Sequence, residues 1–589
     1  MDGSQEVFVR FLCALLVLIC LATAPAGAQQ AASKFVPVTD QILQHPDPAD
    51  WLSWRRTLDS WGYSPLNQIN KANVGQLRMV WTRGMTAGFQ EGTPIVYKGV
   101  MYLPNPLDVV QAIHADTGDL IWEFKRKLPE DLNKYINIMP SVNRNFAIYD
   151  KMIIDTSADD FVYALDAETG KQVWENRIVD YREDSAQETA GPIIAGGKII
   201  SGRGCEYKAT PRACVITAHD GKTGKELWRT YTIPKPGEPG DETWGNIPYE
   251  NRRHVGTWMV PSYDPELNLI YIGTSVTSPA PKFMLAGNDK TYLYHNSTLA
   301  LNADTGKIVW YYQHVVDHWD FDHPFERYLI DTAVAPDKSE VTWINPKLKP
   351  GERRKVITGI PGKTGIVYTL DRQTGEFLWA RPTTRQNVVQ SIDGATGKVT
   401  VNPETTFDKP NQERFVCPTS SGGKDFQAGA YSPVSNTMFF GLQNLCGTMS
   451  PQDVAPLTTS LYALDRTIRI APGTDKVGTI YAISVETGKT LWKYEQRAGM
   501  MSLVATGGGL IFGGDAVGHF RAWDADNGKV LWDVNLGSGV CGYPIAFAVN
   551  GKEYIAASTG VCGLAGNLQR VTPEIKPSQV NAVYVFALP

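Results

Sequence analysis

The chain has 589 residues, 43% of them hydrophobic and 20% charged, with a formal charge of −5. That balance belongs to a soluble globular protein; it excludes a disordered chain or one that is mostly membrane-embedded, and it offers no basic patch on which nucleic-acid binding could rest. The length suits two or three ordinary domains or one large repeat fold, and sixteen tryptophans ask for an explanation.

At the N-terminus Arg10 precedes an apolar run from Phe11 to Ala22, and Ala26-Gly27-Ala28 has the small-x-small spacing of a cleavage site. The run falls short of the roughly 20 residues a spanning helix needs. Residues 1–28 therefore read as a secretory signal cut after Ala28 rather than as an anchor, although Asp2 and Glu6 are unusual in such a leader. Export removes Cys13 and Cys20 and leaves Cys205, Cys214, Cys417, Cys446, Cys541 and Cys562. An even count in an oxidising compartment favours disulfides. Their order suggests the pairs 205–214, 417–446 and 541–562, though sequence alone leaves the connectivity open. No CxxC or CxxCH occurs, which argues against a cysteine metal site and against covalent c-type haem.

One unit recurs along the chain: AIHADTGDLIW, ALDAETGKQVW, TAHDGKTGKELW, ALNADTGKIVW, TLDRQTGEFLW, AISVETGKTLW and AWDADNGKVLW. In each, an apolar strand enters a polar turn, glycine supplies positive φ, and tryptophan begins the returning strand. The tryptophans are 122, 174, 228, 310, 379, 492 and 532, placed so that each indole docks one unit on its neighbour. LRMVWTRG around Trp81 is an eighth, half copy that the terminal strand VYVFALP can complete, closing a ring without open edges. The expectation is all-β: one eight-bladed β-propeller of four-stranded blades over residues 29–589. No helix-length amphipathic pattern stands out. The long insertions, between Trp228 and Trp310 and between Trp379 and Trp492, are where a site would be built.

The densest chemistry lies off the repeat, in VVDHWDFDHPFE at 315–326. Asp317, Asp320, Asp322 and Glu326 sit there among Trp319, Phe321 and Phe325. Carboxylates among aromatics need a metal, a lysine or arginine, or solvent as their counterpart. Asp320 and Asp322 are two apart, so in an extended segment they share a side. Glu206, in SGRGCEY, is a third carboxylate that a hard cation would accept. Solvated acids on a loop are the other reading. His254, His314, His318 and His323 lack zinc-site spacing and read as surface or hydrogen-bonding residues. GGGLIFGG at 507–514 is a blade strand rather than a dinucleotide loop, and no GxSxG element occurs.

Over essentially the whole mature chain these repeats resemble those of the pyrroloquinoline quinone (PQQ) dependent alcohol dehydrogenases. The resemblance implies roles for particular residues. Gly204-Cys205-Glu206 matches a motif whose Glu is a metal ligand, with Gly204 and Cys205 against the cofactor, and Trp319-Asp320 matches the catalytic base. Asp322 is similar to the extra aspartate of lanthanide-using members, where a trivalent ion gains from one more anion. The family's Asn ligand aligns with Val276, which cannot coordinate, so Asp322, Thr274, Ser275 or Thr277 would have to take its place. Trp258 matches the residue under the quinone plane. Arg144, Thr189 and Glu91 match groups holding the cofactor, and Lys363 matches the cation at its reactive oxygens. Asp425, in GGKDF, stands where sugar-oxidising relatives carry GGRDW. Cys417–Cys446 matches a family disulfide. Ile138-Met139 occupies the place of a vicinal disulfide, and Met500 and Met501 replace pocket aromatics, implying a wider cavity. The implied function is a periplasmic, haem-free PQQ dehydrogenase using calcium or a lanthanide. It would oxidise an alcohol by hydride transfer and pass electrons to a soluble cytochrome c. The nearest likeness is to sorbose- and polyol-type enzymes and to those oxidising bulky ring alcohols such as deoxynivalenol. The alternative is a non-catalytic propeller scaffold of the outer-membrane assembly type, which predicts no reason for Glu206, Trp258, Asp320 and Lys363 to occur together.

Overall fold

The repeated polar turns ending in glycine fold as their chemistry dictates. In the computed structural model, which describes residues 35–136, 142–455 and 462–589, Asp166 Oδ1 accepts from the amide and the hydroxyl of Thr169 at 2.8 and 2.7 Å. Gly170 follows at φ +70° and donates to Asp166 O at 2.8 Å. The leader at 1–28 and Ile138-Met139 lie outside the described residues. Two units separate, Met1–Val36, of which only Phe35 and Val36 are described, and Pro37–Pro589.

Each turn joins the third and fourth strands of an antiparallel sheet. Among the described residues seven sheets are built this way, such as Ile95–Tyr97, Val100–Asn105, Val109–His114 and Leu120–Lys125 in that order, and an eighth takes its fourth strand from the other end of the chain. Two of the eight carry a fifth edge strand: Tyr63–Ser64 pairs in parallel with Met500–Thr506, and Trp343–Ile344 pairs with Phe377–Pro382. First strands are mostly buried, as Ile95–Tyr97 is, whereas fourth strands such as Leu120–Lys125 are mostly exposed; Phe377–Pro382, covered by its fifth strand, is the buried exception. The first strand is thus the inner one and the fourth the outer.

The indoles do the docking that their spacing predicts. A Cβ built on Gly118 would lie 2.7 Å from Trp81, on Gly170 2.5 Å from Trp122, and on Gly306 2.4 Å from Trp228. Each tryptophan therefore lies flat over the glycine of the following sheet, where no side chain would fit. Trp81, Trp122, Trp228, Trp310 and Trp492 also donate their indole N–H to a carbonyl of that next sheet, at 2.8–3.2 Å. The circuit closes on strand Arg78–Gly84, which pairs with the C-terminal strand Ala582–Ala587 with Trp81 opposite Val585. Trp532 meets Phe586 of that closing sheet edge-on at 5.2 Å. Sheets docked in sequence and closed by both ends of the chain make a propeller.

Gly306→Ala is accordingly expected to lower stability by about 2–4 kcal/mol, since it combines a φ of +68° with a Cβ inside the Trp228 ring. The urea midpoint checks this. A second expectation concerns pH. Glu553 is 1% exposed, accepts the Ile69 amide at 2.9 Å, and is pushed by burial from 4.5 up to about 7. A carboxyl raised on folding stabilises fully below its unfolded value and loses that contribution as pH climbs through the folded one. Glu553→Gln should be roughly 1–3 kcal/mol more stable than the parent at pH 8 and indistinguishable from it below pH 4.5, in parallel thermal scans.

All three disulfides pair sequentially: Cys205–Cys214, Cys417–Cys446 and Cys541–Cys562, with Cα separations of 5.0, 4.4 and 6.0 Å. Among the elements that escape the sequence reading is the helix Gly563–Val571, which starts directly after Cys562 and buries Leu564, Ala565 and Leu568. Among the described residues no helix is long and apolar enough to cross a membrane.

Candidate active site

Strand alternation puts every loop that leads into an inner strand at the same end of the ring. Glu91 lies four residues before Ile95–Tyr97, Arg144 three before Ala147–Tyr149, and Thr189 four before Ile193–Ala195. Trp258 precedes Ser262–Asp264, Asp322 precedes Tyr328–Val334, and Asp425 precedes Ala430–Ser432. Lys363 follows Glu352–Gly359 on a loop between second and third strands, which opens to that same end. Residues spread over more than 300 positions thereby line one cavity of about 280 Å³, together with Asp320 and Gly204.

Its floor is aromatic and cationic. The Arg144 guanidinium sits 5.1 Å from the Trp258 ring and 5.6 Å from that of Phe426, and Phe325 meets Trp258 edge-on at 5.5 Å. Arg144 pairs with Glu91 and donates to the carbonyls of Thr189 (3.1 Å) and Trp258 (3.2 Å). Arg144 Nε and Glu91 Oε1 are buried without a hydrogen-bond partner in the chain. A Cβ on Gly204 would lie 3.2 Å from Trp258 Cβ, so glycine lets the backbone there approach Trp258 closely. An open indole face beside a buried guanidinium with spare donor capacity fits a planar, polyanionic cofactor.

The acidic stretch finds cations. Lys363 Nζ bonds Asp320 Oδ1 at 2.8 Å and Asp322 Oδ2 at 3.3 Å, while Arg466 Nη1 bonds Asp320 Oδ2 at 2.7 Å. Glu326 pairs with Lys424 at 2.6 Å. Burial pushes Asp320 up to about 8 against the pull of Lys363. Burial acts the same way on Asp322, but Lys363, His254 and the Val276 amide outweigh it and hold that carboxyl below its usual range. Burial also raises Asp425. Two carboxylates of different proton affinity, both within reach of one cation, are an arrangement capable of acid–base work or of giving oxygens to a hard ion.

The region around Val276 accounts for the missing Asn. The hydroxyl of Thr274 donates to Tyr294 O, that of Ser275 to His254 O, and that of Thr277 to Pro279 O. None of the three lines the cavity. The Val276 amide instead donates to Asp322 Oδ1 at 2.9 Å. Glu206 is buried, accepts from Gln187 Nε2 at 3.0 Å and is absent from the cavity wall, as is Cys205 behind Gly204. Among the described residues no three His, Cys, Asp or Glu side chains gather as a metal cluster, so Glu206 is not brought to Asp320 and Asp322 in this structure.

Several sequence readings are displaced. Of the surface or hydrogen-bonding roles expected for His254, His314, His318 and His323, the surface one fails, since all four are buried, while hydrogen bonding holds for His254, which lines the cavity with Nδ1 3.2 Å from Val276 O, and for His314, whose Nε2 lies 2.7 Å from Thr298 Oγ1. Met500 and Met501 are fully buried and absent from the cavity wall. The insertion between Trp379 and Trp492, where the sequence places a site, supplies Tyr462, Arg466 and Ile468 to the outer wall, whereas Leu564, Asn567 and Arg570 come from the unexpected helix tied down by Cys541–Cys562. Nothing in the repeat marks them.

Comparison with known proteins places this geometry. The family described as glucose/ethanol/alcohol dehydrogenase, beta-propeller domain (PQQ), matches residues 51–397, more than half of the chain. The family described as outer membrane protein assembly factor BamB matches residues 476–566. The dehydrogenase subunit of a quinone alcohol dehydrogenase from Komagataeibacter europaeus is 30% identical, over 95% of this chain and 78% of its own length. Methanol dehydrogenase [cytochrome c] subunit 1 from Methylobacterium organophilum is 30% identical, over 95% of this chain and 91% of its own. Among solved structures, a europium-containing methanol dehydrogenase superposes with a TM-score of 0.84 at 26% identity, over 93% of this chain and all of its own.

Proposed function

The chain belongs to the PQQ-dependent alcohol dehydrogenase family, and from that premise we propose that it is a periplasmic, haem-free enzyme oxidising a secondary alcohol or polyol and delivering electrons to a soluble cytochrome c. In this reading the mature chain from residue 29 is one eight-bladed domain, each of the eight sheets being a blade. The observation that carries the proposal is the joint placement of Asp320, Asp322, Lys363, Arg144 and Trp258 around one cavity. A scaffold that binds peptide strands at an edge gives no reason for it.

Arg144 and Thr189 would hold the carboxylates of PQQ over Trp258, with Glu91 fixing Arg144 from behind. Asp320 and Asp322 would hold a calcium or lanthanide ion, with Glu206 reached by adjustment of its bond to Gln187. Bound PQQ supplies the two-electron acceptor for the hydride from the alcohol carbon, and the bound ion supplies Lewis acidity at its carbonyl. Asp320 takes the proton from the substrate hydroxyl, a task suited to a buried carboxylate with raised proton affinity. Lys363 keeps that carboxylate oriented and offers positive charge where negative charge develops. Tyr462, Ile468 and Asn567 give the outer wall both apolar and polar surface, which suits a substrate larger than methanol, such as a sugar, a polyol or a ring alcohol like deoxynivalenol.

The test is reconstitution of apo-protein with PQQ plus calcium or lanthanum, followed by dye-linked oxidation of an alcohol panel. Activity only with PQQ supports the reading; no PQQ binding with either ion overturns it. Asp322→Asn is expected to weaken apparent ion affinity by about 10–100-fold, more for lanthanum than for calcium, in titrations of activity against free ion.

A further inference from the structure

Asp320 adopts φ +75°, the left-handed region that residues with a side chain rarely occupy. The conformation is unfavourable locally, so something in the fold must impose it. Asp317 lies three residues earlier and is fully buried. Its Oδ1 accepts the Trp319 amide at 2.6 Å and its Oδ2 accepts the Phe321 amide at 2.5 Å. One carboxylate thus grips the amide that closes the peptide immediately after Asp320 and the amide of the residue immediately before it. Asn296 completes the grip: its Nδ2 donates to Asp317 Oδ2 at 2.9 Å and to Phe321 O at 3.2 Å. The ring of Trp319 is pinned in turn by its indole N–H on Thr405 O at 2.7 Å. Hydrogen bonds from amides to a buried, charged acceptor are among the strong ones, and here they converge where the backbone is strained.

We propose that Asp317 is a positioning residue of this site: its carboxylate clamps the amides of Trp319 and Phe321, holds Asp320 left-handed, and so aims the Asp320 carboxylate into the cavity towards Lys363. Asp317 itself does not line the cavity and touches neither Lys363 nor Arg466. The proposal rests on the reading of Asp320 as the base.

The test pairs a measurement on apo-protein with kinetics on the PQQ-loaded enzyme. Asp317→Asn keeps the shape but turns one acceptor into a donor facing an amide. In hydrogen–deuterium exchange of the apo-protein, peptides covering 317–323 should exchange at least tenfold faster in this variant, with the other strands unchanged. In the loaded enzyme kcat should fall roughly 10–100-fold, while KM and PQQ affinity, followed by quenching of tryptophan fluorescence, stay within twofold. On an Asp320→Asn background the same change should cost nothing further. Unchanged exchange, an unchanged kcat, equal losses in kcat, KM and PQQ affinity, or an additive loss in the double variant would each overturn the clamp. Should Asp317→Asn not fold, Asn296→Ser removes only the outer two bonds, and a several-fold fall in kcat with faster exchange at 317–323 is then required. If Asp320→Asn keeps full activity, the base reading fails, whereas the exchange result on Asp317 still reports whether the clamp exists.

Discussion

Asp320→Asn should reduce kcat of the reconstituted enzyme by roughly 10²–10⁴-fold, the usual contribution of a positioned general base. Asparagine preserves the shape and tolerates the left-handed backbone at φ +75°, so the fold should survive. Its single oxygen can still accept from one of the two cations, Lys363 Nζ or Arg466 Nη1, which now bond the two carboxylate oxygens at 2.8 and 2.7 Å. It cannot take up a proton from a hydroxyl. The circular dichroism spectrum and PQQ-dependent quenching should match the parent, with stopped-flow reduction of the bound cofactor slowed by the same factor as kcat. A variant with parental turnover would remove Asp320 from the reaction and leave Asp322 as the nearest alternative acceptor.

The second large effect is on stability. Lys424 and Glu326 form an ion pair in which neither side chain reaches solvent, and Lys424 Nζ also lies 4.7 Å from the Phe325 ring centre. Lys424→Met is expected to destabilise the protein by about 3–5 kcal/mol, because it leaves Glu326 charged and buried. The Gly429 amide at 2.9 Å would remain a partner for Glu326, but an amide does not replace a full charge. Arg55, another buried cation, spends its Nη2 on the carbonyls of Gly429 and Leu503. The double variant Lys424→Met/Glu326→Gln should recover most of the loss, since the uncompensated charge is gone. Urea unfolding of the parent, both single variants and the double variant completes the cycle. The lost pair also anchors the loop that carries Asp425 and Phe426 into the cavity, so PQQ affinity should fall in the single variant and return in part in the double.

The sequence by itself determined the periodic part of this protein. A polar turn ending in Gly-x-x-x-Trp is a local code: turns such as Asp166–Gly170 close through their own side chain, glycine is required where the preceding sheet's indole will lie, and both can be read without knowing what surrounds them. Closure through Trp81 and the C-terminal strand and the three sequential disulfides were legible for the same reason of order along the chain. The acidic stretch at 315–326 was visible as a conflict between charge and aromatic burial, but its resolution was not. Which cation meets which carboxylate depends on Lys363, Arg466 and Lys424, brought from 41 to 146 residues away by ring closure rather than by any local preference. The same holds for the outer wall. Helix Gly563–Val571 is held by a disulfide and three buried side chains, a pattern too short to announce itself, and only packing carries Asn567 and Arg570 to the cavity. Left-handed Asp320 is the plainest case: composition says nothing of φ, and only the tertiary structure, through Asp317 and Asn296, decides where that carboxylate points.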